Sequence, residues 1–431
     1  MAWTSTAVRR SPAMVDAVSA APTTFPWKRN LAVLWVAQIA TSLGFSFTFP
    51  FFPIFFQELG IEPIERAAFW AGFGGWVLGI GMALFAPIWG VVGDRFGRKI
   101  NIVRAMMLAA IILAATGYVQ TPGQLIFARF MSGAATGIVP AIMALVASHT
   151  PRERLAFATG ATQSALFLGT AMGPLFGGLI FDHFGMRAAF WATGGALGGA
   201  GLLVALLARE EFHRPETGSR HPLKPFADLW RLTTAGGLLP LLLVLFFVHG
   251  GLLLTAPALP GVAAAVRGGM ASATETGYVF MAMGAAAAAS AAGMGWVAGR
   301  FGPQRVFVVG AALAALAGIG PLFAGSLVTL AFTVGFVSLF QGGLAGLANG
   351  LIALRAPPAQ HGAAFGAAQV SHSLGMALGP LAGGAAAVTF GLRSVFVVNV
   401  GLLATVSVLA AVLLASAKTR HPTEGERRSP G

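Results

Sequence analysis

Long runs of apolar residues, separated by short polar turns, cover most of the chain. Each run has about 20 residues, the length that an α-helix needs to cross a membrane core of about 30 Å. The pattern does not alternate with a period of two, so barrel strands are not indicated. The runs lie at 31–56, 68–92, 101–119, 125–148, 156–181, 188–208, 237–265, 275–298, 306–323, 327–353, 363–388 and 394–416. The sequence therefore predicts an all-α protein with twelve transmembrane helices in two sets of six.

The composition supports a membrane protein. Apolar residue types make up 56% of the chain and charged types 10%, whereas a soluble domain has about 25% charged residues. Soluble enzymes, nucleic-acid-binding proteins and disordered chains are therefore excluded. The chain has no cysteine, and it contains no Walker loop, no hydrolase motif and no metal-ligand spacing of histidines. We therefore expect no enzymatic activity, no cofactor and no metal.

Basic residues mark one side of the membrane. If the first tail is cytoplasmic, most of the 27 Lys and Arg residues fall in cytoplasmic segments. This bias predicts that both termini lie in the cytoplasm, and the Arg-, Gly- and Ala-rich composition suggests a bacterial inner membrane. The chain divides into a tail (1–29), a six-helix bundle (30–208), a linker (209–236), a second bundle (237–416) and a second tail (417–431).

The two bundles are copies of one another. The run Gly-Thr-Ala-Met-Gly-Pro-Leu-Phe-Gly-Gly at 169–178 recurs as Gly-Met-Ala-Leu-Gly-Pro-Leu-Ala-Gly-Gly at 375–384, 206 residues later. Because six is an even number, both copies enter the membrane in the same orientation. Parallel repeats of this kind place a substrate site near the midplane between the halves, which then rock about it. The repeat therefore predicts an alternating-access transporter.

The turn after the second run reads Gly90-Val-Val-Gly-Asp94-Arg95-Phe-Gly97-Arg98-Lys99. Glycines permit a tight turn, and Asp94 can cap a helix across the interface in one state only, as a latch. A turn with basic topology markers is the simpler alternative. The loop resembles the G-x-x-x-D-R-x-G-R-[KR] signature of the major facilitator superfamily. The resemblance implies the two-bundle fold of that superfamily, in which Asp94 meets the start of the eleventh helix and holds the outward-facing state.

The repeated glycine run resembles the antiporter signature of the twelve-span drug:H⁺ antiporters. Glycines four residues apart make a groove for a neighbouring helix, and a proline lets the helix bend. Importers also contain such helix pairs, so plain helix packing is the alternative. The motif residues are Gly169, Gly173, Pro174, Gly177, Gly178, Gly375, Gly379, Pro380, Gly383 and Gly384.

Few titratable side chains occur within the apolar runs, and none of the acidic ones lies in the first run. Arg129 stands in a Leu-x-x-x-Arg-x-x-x-Gly pattern that resembles the family's third motif, which implies a part in proton coupling. A structural tether to the carbonyls of Ser46 and Phe49 is the alternative. Two histidines are expected near the midplane, where each is either a proton carrier or a packing residue. The candidates for proton coupling are Arg129, His249, His372 and Glu275.

Polar and aromatic residues within the runs are candidates for the substrate cavity. Gln163 and Gln369 are mates in the repeat, so they are expected on its walls. Core packing or lipid contact is the alternative for each candidate. The set comprises Gln38, Phe45, Phe49, Gln163, Met281, Gln341 and Gln369.

Taken together, the motifs resemble those of bacterial multidrug and tetracycline efflux proteins. The resemblance implies a monomeric exporter that moves small amphipathic compounds across the lipid bilayer in exchange for protons, with no nucleic-acid partner. An exporter or symporter of one metabolite, such as a sugar, siderophore or amino acid, is the first alternative. A membrane sensor that does not transport is the second.

Overall fold

The computed structural model describes residues 26–135, 137–211, 238–269, 271–355 and 361–419. Most of the predicted tails and linker lies outside these ranges, so their boundaries stay predictions. The regular elements of the described ranges are α-helices and short 3-10 turns. The helices are α1 (Trp27–Thr48), α2 (Phe52–Glu58), α3 (Ile64–Phe96), α4 (Arg98–Thr116), α5 (Pro122–Ala134), α6 (Ile138–His149), α7 (Leu155–Leu207), α8 (Leu239–Leu254), α9 (Leu259–Arg267), α10 (Ala273–Phe301), α11 (Pro303–Ala317), α12 (Leu327–Gln341), α13 (Leu344–Arg355), α14 (His361–Phe390) and α15 (Ser394–Thr419).

Eleven helical stretches of the described ranges are long and apolar enough to cross a membrane. The longest has 51 residues and lies within α7. As a straight helix it would measure ~77 Å, more than twice the ~30 Å of a membrane core. Gly185 divides it, because its φ of 81° lies in the left-handed region that favours glycine. The helix α7 therefore supplies both the fifth and the sixth span, and the all-α membrane fold is confirmed.

Four spans consist of two pieces each, although the sequence predicts each as one run. The first is interrupted by a 3-10 turn at Phe49–Phe51, and the fourth at Gly137, where φ is 120°. The seventh and tenth spans are interrupted after Leu254 and Gln341. Each of these breaks lies about 206 residues after a break in the first bundle, so the breaks follow the repeat. Proline or glycine stands at each break, which explains why the helices stop there. Interrupted helices in corresponding positions of two halves are typical of transporter binding sites.

The helices pack into two bundles that meet along two seams. Within the bundles, α7 lies along α1 and α14 lies along α8. Between the bundles, α7 contacts α10 and α3 contacts α14. The turns at Gly97 and Gly302 carry the basic motif residues, and we call this side of the molecule the basic end. The turns that precede α5, α10 and α12 lie at the opposite end.

Candidate functional site

Near the opposite end, α7 and α10 touch closely. A Cβ atom on Gly277 of α10 would lie 2.6 Å from the carbonyl oxygen of Pro174, and one on Gly284 would lie 2.8 Å from the Cα of Ala171. Cβ atoms essentially never come within 3.0 Å of such atoms. Glycine is therefore required for this approach of the two bundles.

The seam between α3 and α14 repeats this arrangement. A Cβ atom on Gly79 of α3 would lie 2.5 Å from the Cβ of Ala377, and Gly72 faces the Pro380 carbonyl. One turn further out, a Cβ on Gly384 would lie 2.8 Å from the Ala68 carbonyl oxygen. Both seams are therefore closed near the opposite end by glycines that face backbone of the other bundle.

A carboxylate reinforces one seam. Asp182, near the end of the fifth span, accepts hydrogen bonds from the backbone N–H groups of Ala273 (2.9 Å) and Thr274 (2.8 Å) at the start of α10. A negative charge at a helix N-terminus is favourable because the helix dipole and the free N–H groups point at it. The side chain of Asp182 thus bridges the two bundles at the opposite end, a contact that sequence reasoning missed.

The basic end differs. In the part of the chain that the structure describes, no heavy atom lies within 4 Å of a Cβ built on Gly90, Gly160, Gly293, Gly295 or Gly299. These positions belong to three of the four seam helices, α3, α7 and α10. Gly90, Gly160 and Gly295 stand eleven residues, or three turns, from the seam residues Gly79, Ala171 and Gly284, and therefore share their helix faces. The bundles are therefore apart at the basic end, and the space between them is a cleft that opens there.

The two predicted cavity glutamines lie beside this cleft. Gln163 and Gln369 are both exposed. Each stands eight residues before a seam residue, Ala171 or Ala377, and therefore shares a helix face with it. This face contacts the other bundle near the opposite end and is uncovered towards the basic end. Its placement supports the cavity-wall prediction for both residues.

The other cavity candidates are more enclosed. Gln38 and Gln341 are buried. The amide of Gln38 donates to the Ser42 hydroxyl within α1 (3.1 Å), and that of Gln341 reaches the Val248 carbonyl at 3.5 Å. Both therefore contribute polar contacts inside a bundle. The three remaining candidates are half-buried: Phe45, Phe49 and Met281.

The glycines of the antiporter-like motif contact two different helices. In the first copy a Cβ on Gly169 would lie 2.7 Å from the Ser42 Cβ, and Gly173 and Gly177 face the same helix, α1. A Cβ on Gly178 would instead lie 2.5 Å from the Ala273 carbonyl oxygen in the other bundle.

The second copy behaves in the same way. Gly375, Gly379 and Gly383 face α8, whereas Gly384 faces α3 of the first bundle. Each copy therefore joins one helix pair within its bundle and closes one seam between bundles. One motif therefore serves both helix packing within a bundle and contact between the bundles.

The loop that resembles the superfamily signature is anchored inside the first bundle. Gly97 has a φ of 101°, which favours glycine at this turn. The N–H groups of Arg98 and Lys99, at the start of α4, each donate to one carboxylate oxygen of Glu210 at 2.8 Å. Gly90 and Arg95 are exposed. The side chain of Asp94 lies outside what the structure describes, so its latch role stays a prediction.

Arg129 is 8% exposed on α5. Its guanidinium carbon lies 4.3 Å from the ring centroid of Phe52 at the start of α2, a cation–π contact. Among the described residues it forms no ion pair, and it does not form the hydrogen bonds to the carbonyls of Ser46 and Phe49 that the alternative of a structural tether requires. An aromatic ring therefore holds this cation, because the break in the first span places Phe52 against it.

The remaining coupling candidates fall into two places. Glu275 lies at the start of α10, where it forms a capping box with Ser272 and an ion pair with Arg267 at 3.3 Å. These contacts stay within one bundle and give Glu275 a capping role. His249 of α8 and His372 of α14 come together, with ring centroids 3.9 Å apart. The sequence places the histidines at similar depth but does not predict that they touch.

Sequence reasoning also missed how the break in the fourth span is stabilised. The Trp89 indole donates to the Ala134 carbonyl and the Arg104 guanidinium donates to the Ala135 carbonyl. Arg104 also lies 3.4 Å from the Trp89 ring centroid. Carbonyls freed by a broken helix must find donors inside a membrane protein. The sequence feature that could have revealed this contact is Arg104 itself. An arginine within an apolar run is energetically unfavourable in the membrane unless it has such partners.

Known proteins share this sequence and arrangement. Residues 34–269 and 241–431 match the Major Facilitator Superfamily. The multi-drug resistance efflux pump PmrA of Streptococcus pneumoniae is 32% identical over 376 residues, which cover 86% of this chain and 92% of that protein. The multidrug resistance protein MdtG of Salmonella arizonae is 28% identical over 379 residues, covering 88% and 93%. A mutant of the nucleoside transporter NupG is similar in fold, with a TM-score of 0.75 at 12% identity over 89% of this chain and 99% of that one.

Proposed function

Because this chain belongs to the major facilitator superfamily, we propose that it exports small amphipathic, drug-like compounds from the cytoplasm. The observation that carries the proposal is the pair of seams, closed by glycines near one end and separated at the other. A protein that rocks about such seams exposes one cleft to each side of the membrane in turn. The two efflux pumps that are similar over most of the chain support a drug-like substrate.

The basic end faces the cytoplasm in this proposal. Arg95, Arg98 and Arg300 stand there, and cytoplasmic loops carry an excess of Lys and Arg. The cleft is then open to the cytoplasm, where an exporter loads its substrate. The protein lies in the bacterial inner membrane as a monomer, with both termini in the cytoplasm.

Proton antiport supplies the energy. Expelling a cation against 100 mV requires about 2.3 kcal/mol per charge, and the sequence has no nucleotide-binding loop. Arg129 is the proposed coupling residue of the first bundle, because a buried cation that has no carboxylate partner among the described residues responds strongly to charge nearby. Asp94 is the proposed latch of the state in which the basic end is closed.

Inside-out vesicles that contain the protein test this function. A pH gradient is imposed and read with a quenched acridine dye, and lipophilic drugs or common metabolites are added one at a time. We expect drugs to dissipate the gradient and Arg129→Ala to abolish this response. Arg66→Ala is the control, because Arg66 is exposed at the start of α3. A response to a single metabolite and to no drug would overturn the drug-export proposal in favour of a specific exporter.

A further inference from the structure

The glycine contact between α8 and α14 forces two histidines together. A Cβ on Gly375 would lie 3.0 Å from the backbone nitrogen of Gly250 and 3.1 Å from the Cβ of His249. His372 precedes Gly375 by three residues and Gly379 by seven, so it points along the same face towards α8. The two imidazoles are consequently in ring contact, with centroids 3.9 Å apart and planes inclined by 45°.

Each ring has one further polar contact. Nδ1 of His249 lies 2.9 Å from the Leu245 carbonyl oxygen, one turn earlier in α8. Nε2 of His372 lies 2.8 Å from the Met376 sulfur, one turn later in α14. A carbonyl accepts a hydrogen bond, so Nδ1 of His249 carries a proton and its Nε2 is left as a basic site. His249 is 9% exposed and His372 is half-buried.

The helices that pack around the two histidines have no charged residue at the same depth in the membrane. The sequence places no charged residue in α8 or α12, and the charged or titratable residues of α3, α13, α14 and α15 lie close to the helix ends. They are Glu65, Arg66, Asp94, Arg95, Arg355, His361 and Lys418. The pair is therefore the only titratable group in the middle of this helix cluster, and each ring is the nearest titratable neighbour of the other.

A shared metal ion does not fit this geometry. Imidazole nitrogens bind zinc at about 2.0–2.1 Å, and two rings that ligate one ion in this way keep their centroids farther apart than 3.9 Å. Among the described residues, no group of three His, Cys, Asp or Glu side chains is placed to hold a metal. The ligand that two imidazoles in this contact take without moving apart is a proton.

We propose that His249 and His372 form the proton-binding site of the transport cycle and hold one proton between them. The inference rests on the proposed proton antiport and assigns its carrier. A second proton is disfavoured because two imidazolium rings in contact repel each other in a medium of low polarity. The proton binds an imidazole nitrogen while the opposite end is open. It leaves through the half-buried His372 when the cleft opens at the basic end, before the drug binds.

Counting protons tests the pair without any transported compound. Purified protein is titrated between about pH 8 and about pH 5, the range in which ordinary histidines change charge. Wild type and His249→Gln should bind the same number of protons, and so should His372→Gln, because the remaining ring takes the single proton. The double variant should bind about one proton fewer. Two protons fewer in the double variant, with one fewer in each single variant, would show independent histidines and overturn the proposal.

Transport assays separate a failure of the pair from a failure of drug export. Ethidium is used as the probe in vesicles. Each histidine variant should retain exchange of internal for external ethidium in the absence of a pH gradient, and the double variant should lose accumulation driven by the gradient. His183→Gln is the matched control, because His183 is an exposed histidine of α7 that lies beside the Gly185 kink, at the opposite end of the molecule. Gradient-driven accumulation that persists in the double variant contradicts the proposal, whereas loss of exchange in wild type would contradict drug export itself.

Discussion

Two carboxylates in this protein cap helix N-termini in the same way but join different parts of the molecule. Asp182 accepts hydrogen bonds from two successive N–H groups at the start of α10, in the other bundle. Glu210, in the linker directly after α7, accepts from two successive N–H groups at the start of α4, in the bundle that precedes the linker. In the proposed transport cycle, the Asp182 contact exists only while the opposite end is closed. The Glu210 contact survives any rocking of the bundles, so local chemistry alone does not identify a conformational switch.

The glycines of the seams also differ between the two ends of the molecule. Gly178, Gly277 and Gly384 meet backbone of the other bundle, whereas Gly160 and Gly295, on the seam faces of α7 and α10, meet no described atom within 4 Å. Small residues at both ends of one seam are expected if each end closes in a different state. The unoccupied glycines therefore fit an interface that is used in the alternate conformation.

The largest effect is expected from a bulky residue at the closed end. In Gly178→Val the new Cβ would lie 2.5 Å from the Ala273 carbonyl oxygen, and such overpacking costs about 1–3 kcal/mol. The opposite end should open and gradient-driven ethidium export should fall by about tenfold or more. Distances between spin labels across the opposite end measure the opening.

Gly293→Val is the matched control for that variant. Its Cβ has open space in this structure, so the distance across the opposite end should stay that of wild type. An equal widening of the opposite end in both variants would contradict the assignment of the two ends.

A smaller shift is expected from Asp182→Ala. The substitution removes both capping hydrogen bonds and the charge at the start of α10, and loss of a cap costs about 0.5–2 kcal/mol. The population with the opposite end closed should therefore fall by about 2- to 30-fold relative to the open one. Glu275 caps the same helix within its own bundle, so Glu275→Ala, which removes that cap, should leave this balance unchanged. A shift of the same size in Glu275→Ala would mean that helix stability, not the bridge, sets the balance.

The smallest conformational effect is expected from Glu210→Ala. This change also removes two capping hydrogen bonds, but both partners lie in the first bundle. The free energy of unfolding should fall by about 1 kcal/mol, and the distances between spin labels at both ends should not change. Thermal unfolding and the distance measurement together check this outcome. If Glu210→Ala shifted the populations of the closed and open states as much as Asp182→Ala does, the two carboxylates would not differ in their roles.

The sequence was informative where the physics is local or periodic. Apolar runs predict the spans, and the repeat predicts the parallel bundles. The breaks in four spans were not predicted, because prolines such as Pro50 and glycines such as Gly137 are also tolerated inside membrane helices. The Asp182 bridge and the contact of His249 with His372 were missed for another reason. Both depend on how closely two distant helices approach, which glycines such as Gly178 and Gly375 permit but do not specify.

The claim that the two ends open alternately is tested most directly by measuring both ends at once. The chain has no cysteine, so labelled cysteines can be introduced without background. One pair, Gly123→Cys with Val328→Cys, spans the opposite end, and a second, Phe157→Cys with Trp296→Cys, spans the basic end; all four positions are exposed. When acidification or ethidium changes the conformation, we expect one distance to lengthen as the other shortens. Distances that change in the same direction, or a basic end that never closes, would contradict alternating access in this protein.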